Sequence, residues 1–207
     1  MDHNYLLNLL KCFSEIMAEN RNYLIELDSV VGDGDLGLTM SDGFAAAYKA
    51  ALEFVGEDVG KLLYNSGKAM SAAVPSTMGT LMASGFMNAG KLLKEKTELQ
   101  LSDIYELFRA YMDGVSARGK AKIGDKTFLD GFYPAVESLQ TSVQNEESLV
   151  SAAQKASAAA EQGFHNTTTM IAIHGRAATR GEASRTLLDP GAAVAMLMMK
   201  AFEKSTK

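Results

Sequence analysis

All-α is the fold class this sequence predicts, and three observations predict it. The chain has only three prolines, Pro75, Pro134 and Pro190, so long stretches run without a helix breaker. Apolar residues recur at three- and four-residue spacing through most of its length. No alternation of Val, Ile, Thr and aromatic residues persists beyond a few positions, and no turn dipeptide joins two such runs as a hairpin would.

The elements follow in order. Leu6, Leu7, Leu10, Phe13 and Met17 give an amphipathic helix over 4–19. Val59, Leu62, Leu63 and Met70 give another over 58–72, and Leu81, Met82, Gly85, Phe86 and Ala89 form one stripe from Thr77 to about Lys94. Ser102 can cap a helix through Ile104, Tyr105, Phe108, Tyr111 and Met112 that ends near Arg118-Gly119. A further helical pattern follows Gly124-Asp125, and an alanine-rich one covers roughly 147–162. Asp189 caps the last helix, with Pro190 at its first position and Lys204 near its end. With no internal repeat and no low-complexity linker, about eight helices in one domain over 1–207 account for the chain. The apolar stripes are core and carry no chemistry, since burying each large side chain contributes about 1.5–3 kcal/mol.

Composition excludes several classes. A net charge of −5 lacks the basic excess with which a nucleic-acid binder neutralises phosphates. Apolar residues at 47% and charged ones at 22% are those of a folded domain. The single cysteine, Cys12, can form neither an internal disulfide nor a thiolate metal cage, which fits a reducing compartment. The start, MDHNYLLNLLKCFSEIM, lacks the basic region and cleavage site of a signal peptide. No apolar run approaches the ~18–20 residues of a membrane span. The expectation is a cytoplasmic protein with neither nucleic acid nor membrane as partner.

Chemistry is concentrated in four loops. The first, Leu27 to Gly37, carries Asp28, Asp33 and Asp35 among glycines that let the backbone bend sharply. Three anions in one small volume repel unless a cation sits among them, and Mg²⁺ suits such oxygens. An EF-hand is excluded: with Asp33 at position 1, position 12 is Phe44 where a bidentate Glu is required. A solvated acidic turn is the plainer alternative, but no basic residue stands beside this one. In the second loop, Val74 to Thr80, Ser76 or Thr77 can cap a helix whose free N–H groups receive an anion. Ordinary helix punctuation explains that segment equally well, and no G-x-x-x-x-G-K-[ST] phosphate loop occurs in the chain. The third, Arg118 to Thr127, is basic with two glycines and a cap-like Asp125. The fourth runs from His174 to Glu182, with Asp189-Pro190-Gly191 beyond it. Either could be an exposed loop and nothing more, and His174, His3 and His165 are assigned no role. Taken together, acidic cluster, basic loops and helix start complement a nucleotide polyphosphate with its magnesium, Arg176 or Lys126 offsetting the remaining charge.

The ordered set Asp28-x4-Asp33-Gly34-Asp35-x-Gly37, Arg118-Gly119-Lys120-Ala121 with Gly124-Asp125-Lys126-Thr127, Gly175-Arg176-Ala177 and Asp189-Pro190-Gly191 resembles the L subunit of bacterial dihydroxyacetone kinase over nearly the whole chain. The resemblance implies an antiparallel barrel of eight helices with the nucleotide, ADP or ATP, at one end. It implies two Mg²⁺ ions held by Asp28, Asp33 and Asp35. It places the nucleotide against Leu36, Gly37, Leu38 and Thr39 and against Ser76 and Thr77. Gly119 and Phe128 fall on the adenine and ribose side, with Arg176 and Asp189, Pro190 and Gly191 closing the pocket. It also implies that a ketose, dihydroxyacetone or a relative such as erythrulose, is held on a separate K-type subunit. The chain is then one subunit of a phosphotransferase with an alcohol acceptor and supplies no nucleophile.

Two departures from the family pattern lie at the phosphate end. Leu36 stands where phosphotransferase-dependent members have His, as in ATP-dependent relatives, and Val74 to Gly79 replaces a Gly-Gly-x-Ser-Gly loop. The donor therefore stays open between a resident ADP recharged by a phosphotransferase-system phosphocarrier subunit and exchanging ATP. A homodimer is likewise left open. The alternative from another class is a non-catalytic nucleotide-binding regulator, such as a transcriptional coregulator. A third reading is a metal-dependent phosphate-ester hydrolase on the same carboxylates.

Overall fold

Side-chain caps define most helix starts in the computed structural model, which describes residues 1–207. Asp58, Ser76, Ser148 and Asp189 each accept a backbone N–H from three residues on, opening α4 (Val59–Ala73), α5 (Thr77–Leu92), α8 (Leu149–Asn166) and α9 (Pro190–Ser205). Two starts differ from the sequence expectation. The helix assigned to Ser102 begins earlier: α6 (Leu101–Gly119) has Gln100 as its cap, paired reciprocally with Asp103, and Ser102 lies inside it. Asp125 caps no helix either. Thr127 and Asp130 form the capping box of α7 (Phe128–Gln144).

The N-terminal rod is α1 (His3–Glu19) followed by α2 (Arg21–Val31), separated by Asn20 alone. The Asn20 amide donates to the Ile16 carbonyl at 2.8 Å, a local bond that competes with the helical ladder where the rod bends. The acidic turn follows, then α3 (Leu36–Leu52). Two 3₁₀ segments, Thr167–Thr169 and Arg176–Ser184, occupy the long connection from α8 to α9. There is no strand, and no helix is long and apolar enough to cross a membrane.

Neighbours in sequence are neighbours in space. Helices α3 to α9 pack in chain order, and α9 returns to α1, which packs on α3. Counting the bent α1–α2 rod once, eight rods close a ring. The Met1 amine donates to the Leu99 carbonyl at 2.8 Å, and His3 stacks on Phe54. The start of α1 and the α3–α4 and α5–α6 loops therefore share one end. The α2–α3, α4–α5, α6–α7 and α8–α9 connections share the other, where residues of all four line one cleft. This antiparallel alternation points the N-termini of α3, α5, α7 and α9 at the same place.

Fifty buried residues form one continuous core inside the ring. Phe13, Phe44, Phe86 and Tyr111 make a chain of edge-on contacts that continues through Phe132 to Phe128. Helices α4 and α5 touch backbone to backbone, because a Cβ on Gly90 would lie 2.6 Å from the Gly60 carbonyl oxygen and from the Tyr64 nitrogen. Neither atom belongs to a flexible side chain, so Gly90→Ala must push the two helices apart. A loss of about 1–3 kcal/mol, the usual cost of overpacking, is expected in urea unfolding of the variant.

Candidate functional site

The acidic turn is folded around one of its own carboxylates. Gly34 adopts a φ of 75°, open to glycine, and its N–H donates to Asp28 Oδ2 at 2.9 Å. A Cβ on Gly32 would stand 2.3 Å from Asp28 Oδ1, so a side chain there would push the Asp28 carboxylate out of place. Asp35 occupies the cap position of α3 without making a capping bond, which leaves its carboxylate free to face the cleft. One oxygen from each of Asp28, Asp33 and Asp35 falls within 4.8 Å of the others.

That proximity has an electrostatic cost. Burial raises the Asp28 carboxyl above its ordinary value, and the charges of Asp33 and Asp35 push the same way against N–H bonds from Leu36 and Gly34. Arg176 relieves part of it, with Nη2 at 2.6 Å from Asp33 Oδ2, and Arg180 donates to the Val30 carbonyl behind the turn. Three convergent carboxylates with no nitrogen or sulfur ligand are a donor set for a hard divalent cation, and Mg²⁺ fits them.

The cleft these residues border has a volume of about 460 Å³. Asp28, Asp33, Asp35 and Leu36 lie on its acidic side, as the sequence predicts. Ser76 and Thr77 line it from the start of α5. Ser76 Oγ accepts the Gly79 N–H at 3.0 Å, so the Thr77 and Met78 N–H groups have no acceptor within the helix. Gly119, Phe128, Arg176, Asp189, Pro190 and Gly191 also line the cleft. Phe128 does so only from its edge, being 3% exposed and stacked on Phe132 at 4.8 Å. Leu81, Val115 and Leu129 make the deeper wall apolar.

Gly37, Leu38 and Thr39 stand off the lining. Gly37 is wedged against α2, where a Cβ would meet the Arg21 carbonyl oxygen at 2.1 Å, and Leu38 is 40% exposed. Their contribution at this end is the first turn of α3, where the N–H groups of Leu36, Gly37 and Leu38 have no intrahelical acceptor.

Lys126 corrects the sequence expectation. It lines the cleft, yet its ammonium is turned away from any phosphate and buried among five backbone carbonyls: Thr167, Met170, Ser184, Arg185 and Leu187. Only Arg176 remains to offset charge in the cleft. Sequence reasoning also passed over Asp130 and His174. The buried Asp130 accepts the Gly124 N–H at 2.5 Å and the Thr127 N–H at 2.7 Å, fixing the α6–α7 loop. His174 Nε2 lies 2.9 Å from Asp125 Oδ2 on the cleft wall. The compact Gly124-Asp125-Lys126-Thr127 run was the only local signal for any of them.

Comparison with known proteins shows which family the chain resembles and which fold it shares. Residues 30–204 match the DAK2 domain family. The chain is 35% identical over 207 residues to the PEP-dependent dihydroxyacetone kinase ADP-binding subunit DhaL of Escherichia coli K12, covering 100% of this chain and 99% of that protein. It is 32% identical over 209 residues to the DhaL subunit of PEP-dependent dihydroxyacetone kinase 2 of Listeria innocua, covering 100% and 96%. The fold superposes with a TM-score of 0.73 on the Citrobacter freundii (C. freundii) dihydroxyacetone kinase solved with AMP-PNP and Mg²⁺, at 22% identity. That match covers 96% of this chain, which spans about a third (33%) of the larger protein.

Asp189 ties the stability of the fold to pH. It is buried at the start of α9, and burial pushes its carboxyl up to about 7 against the pull of the Ala192 N–H and Lys126, with Asp130 adding repulsion. The folded chain holds this proton up to about pH 7, whereas the unfolded chain loses it near ~4. The contribution of Asp189 to stability is therefore present below that lower value and falls as pH rises through 7, with a slope of at most ~1.4 kcal/mol per pH unit. Asp189→Asn keeps the cap acceptor and should flatten the decline between about pH 4 and 7, measured by urea unfolding across that range.

Proposed function

The chain belongs to the DAK2 domain family, and from that premise we propose that it is the nucleotide-binding subunit of a dihydroxyacetone-type kinase. In this reading a phosphoryl group passes from a Mg²⁺-bound adenine nucleotide to a hydroxyl of dihydroxyacetone or a related short ketose, held on a separate K-type subunit. The observation that carries it is the meeting of Asp28, Asp33 and Asp35 with the starts of α3, α5 and α9 in one cleft. Carboxylates take the cations, and helix N-termini take the phosphates.

Asp28, Asp33 and Asp35 would hold the magnesium, two ions in the full reading, and the metal supplies neutralisation of charge on the transferring phosphate. The chain's own residues do the rest. The N–H groups of Thr77 and Met78 opening α5 receive phosphate oxygens, the α3 dipole adds its positive end, and Arg176 balances the remaining charge at the rim. Gly119 leaves the wall beside Leu81 low enough for a flat base, since a Cβ there would already approach Leu81 Cδ2 at 3.0 Å. The Asp189-Pro190-Gly191 turn closes the opposite side. No side chain is asked to attack phosphorus, so positioning and charge neutralisation are the whole contribution.

The exposed surface at this end supports docking of a partner that carries the acceptor. Val30, Leu38, Ile123 and Ile173 are 46%, 40%, 54% and 58% exposed, the first two on α2 and α3 and the others in the α6–α7 and α8–α9 connections, each of which contributes other residues to the cleft. Such apolar groups at the mouth suit a protein interface better than bulk water.

Thermal unfolding tests the assignment. Mg²⁺ with ADP or AMP-PNP should stabilise the chain by roughly 2.7 kcal/mol at a hundredfold excess over Kd, and Asp33→Ala with Asp35→Ala should abolish the gain. Turnover should then require both a K-type subunit and a ketose. Binding without turnover under those conditions would identify a regulator, and phosphate release with no partner would identify a hydrolase.

A further inference from the structure

Between α8 and α9 the chain makes an excursion over 167–189 with no α-helix of its own, and its middle forms part of the cleft. Gly175, Arg176 and Ala177 line the cavity, and from here Arg176 reaches Asp33 and Arg180 reaches the Val30 carbonyl. A connection this long holds one conformation only if something ties it down. Few apolar groups do so: within 171–186 only Ala172 and Ser184 are buried.

Hydrogen bonds join the two arms, Arg185 Nη1 to the Thr169 carbonyl at 2.9 Å and the Ala172 N–H to Ser184 Oγ at 3.0 Å, but one ammonium meets more of the strap than any other group. Lys126 is 2% exposed, and its Nζ lies 2.6 Å from the Thr167 carbonyl oxygen and 3.3 Å from that of Met170, on the outgoing arm. It also lies 2.7, 3.1 and 2.5 Å from those of Ser184, Arg185 and Leu187, on the returning arm. Three N–H donors shared among five carbonyls make a cage of the kind that holds a bare monovalent cation, here tethered to α7 through its own backbone. Lys126 holds a φ of 61°, a left-handed conformation that a non-glycine residue keeps only when its surroundings demand it. The preceding residue grips the same segment, since the Asp125 carbonyl accepts the Ile173 N–H at 3.1 Å.

We propose that Lys126 is a positioning residue for the nucleotide site: by clamping both arms of the 167–189 strap through their carbonyls, it sets where Arg176 stands over the acidic cluster. The proposal rests on the nucleotide reading for its consequence in binding, and on the carbonyl cage alone for its consequence in the strap. An isolated surface lysine at this position would serve as a direct phosphate ligand. The five carbonyls leave it no such freedom.

Removing the ammonium separates these roles. In the full-length Lys126→Ala chain, hydrogen exchange over 171–186 should rise while α3, α5 and α6 keep their protection. The dissociation constant for Mg-ADP should rise about tenfold, the loss expected when one charge-assisted contact is released. In an Arg176→Ala background the same substitution should change affinity little further, because it acts through that arginine. Ammonium or potassium ions should restore both strap protection and affinity by refilling the cage, and lithium should not. Equal losses with and without Arg176, or unchanged exchange in the strap, would overturn the proposal. Should Lys126→Ala fail to fold even in ammonium, Lys126→Arg carries the test, because a planar guanidinium keeps the charge but cannot converge on five carbonyls. An arginine variant matching the wild-type strap and affinity would overturn the proposal as well. If the wild-type chain binds no Mg-nucleotide, the proposed function fails, while the exchange comparison still decides whether Lys126 pins the strap.

Discussion

Repulsion among three carboxylates sets the terms on which this end of the molecule can fold. Asp28, Asp33 and Asp35 bring oxygens within 4.8 Å of one another, and Asp28, the one of the three that is half-buried, bears the desolvation. The chain answers with dipoles and with an arginine. Backbone N–H groups of Gly34 and Leu36 point at Asp28, and α3 begins directly after Asp35, placing the positive end of its dipole against the cluster. Arg176 comes from far along the chain to pair with Asp33. Each of these devices is weaker than a divalent cation would be among the same oxygens.

The ring makes such an arrangement available. In an antiparallel circuit every second loop falls at the same end, and at this end the loops lead into helix N-termini. A phosphate chain laid across it therefore meets N–H groups on several sides with no dedicated glycine-rich loop. The same circuit explains how the cations divide their work. Lys126 is spent on backbone carbonyls, while the exposed Arg176, with 67% of its side chain accessible, is left for the cluster. A lysine suits the first task because its three donors can spread over a spherical cage, and an arginine suits the second because its fork meets carboxylate and phosphate oxygens side by side.

Local signals were readable in the sequence, and distant ones were not. Helical periodicity located the core stripes, Asp189-Pro190 located the start of α9, and the spacing of Asp28, Asp33 and Asp35 located the acidic turn, all within short windows. The misplacement of Ser102 has a local cause as well: Gln100 caps through a box with Asp103, and a serine two residues later is the more familiar cap. Lys126 is a different kind of miss. Its partners lie 41 to 61 residues away, and only the closure of the ring brings them together. A basic residue beside glycine reads as a phosphate ligand until its surroundings are known. The break at Asn20 is not a miss of this kind, since the helix expected over 4–19 ends where α1 does.

The division between rim and wall bears on how the proposed reaction could run. Asp33 and Arg176 expose 42% and 67% of their side chains, whereas Leu81, Val115 and Leu129 make the depth of the cleft apolar. A nucleotide seated with its base inward presents its terminal phosphate at the open edge. Leu24 on α2 and Phe44 on α3, the helices flanking the acidic turn, are fully buried in the core. In-line attack at the open edge then requires the acceptor to arrive from outside. In the proposed function the acceptor is delivered by another protein, and the exposed Val30, Leu38, Ile123 and Ile173 offer apolar surface for such a partner. On that view the chain's task is to hold a charged phosphate steady at its own edge, and the placement of Arg176 by a buried lysine is what keeps that edge in register.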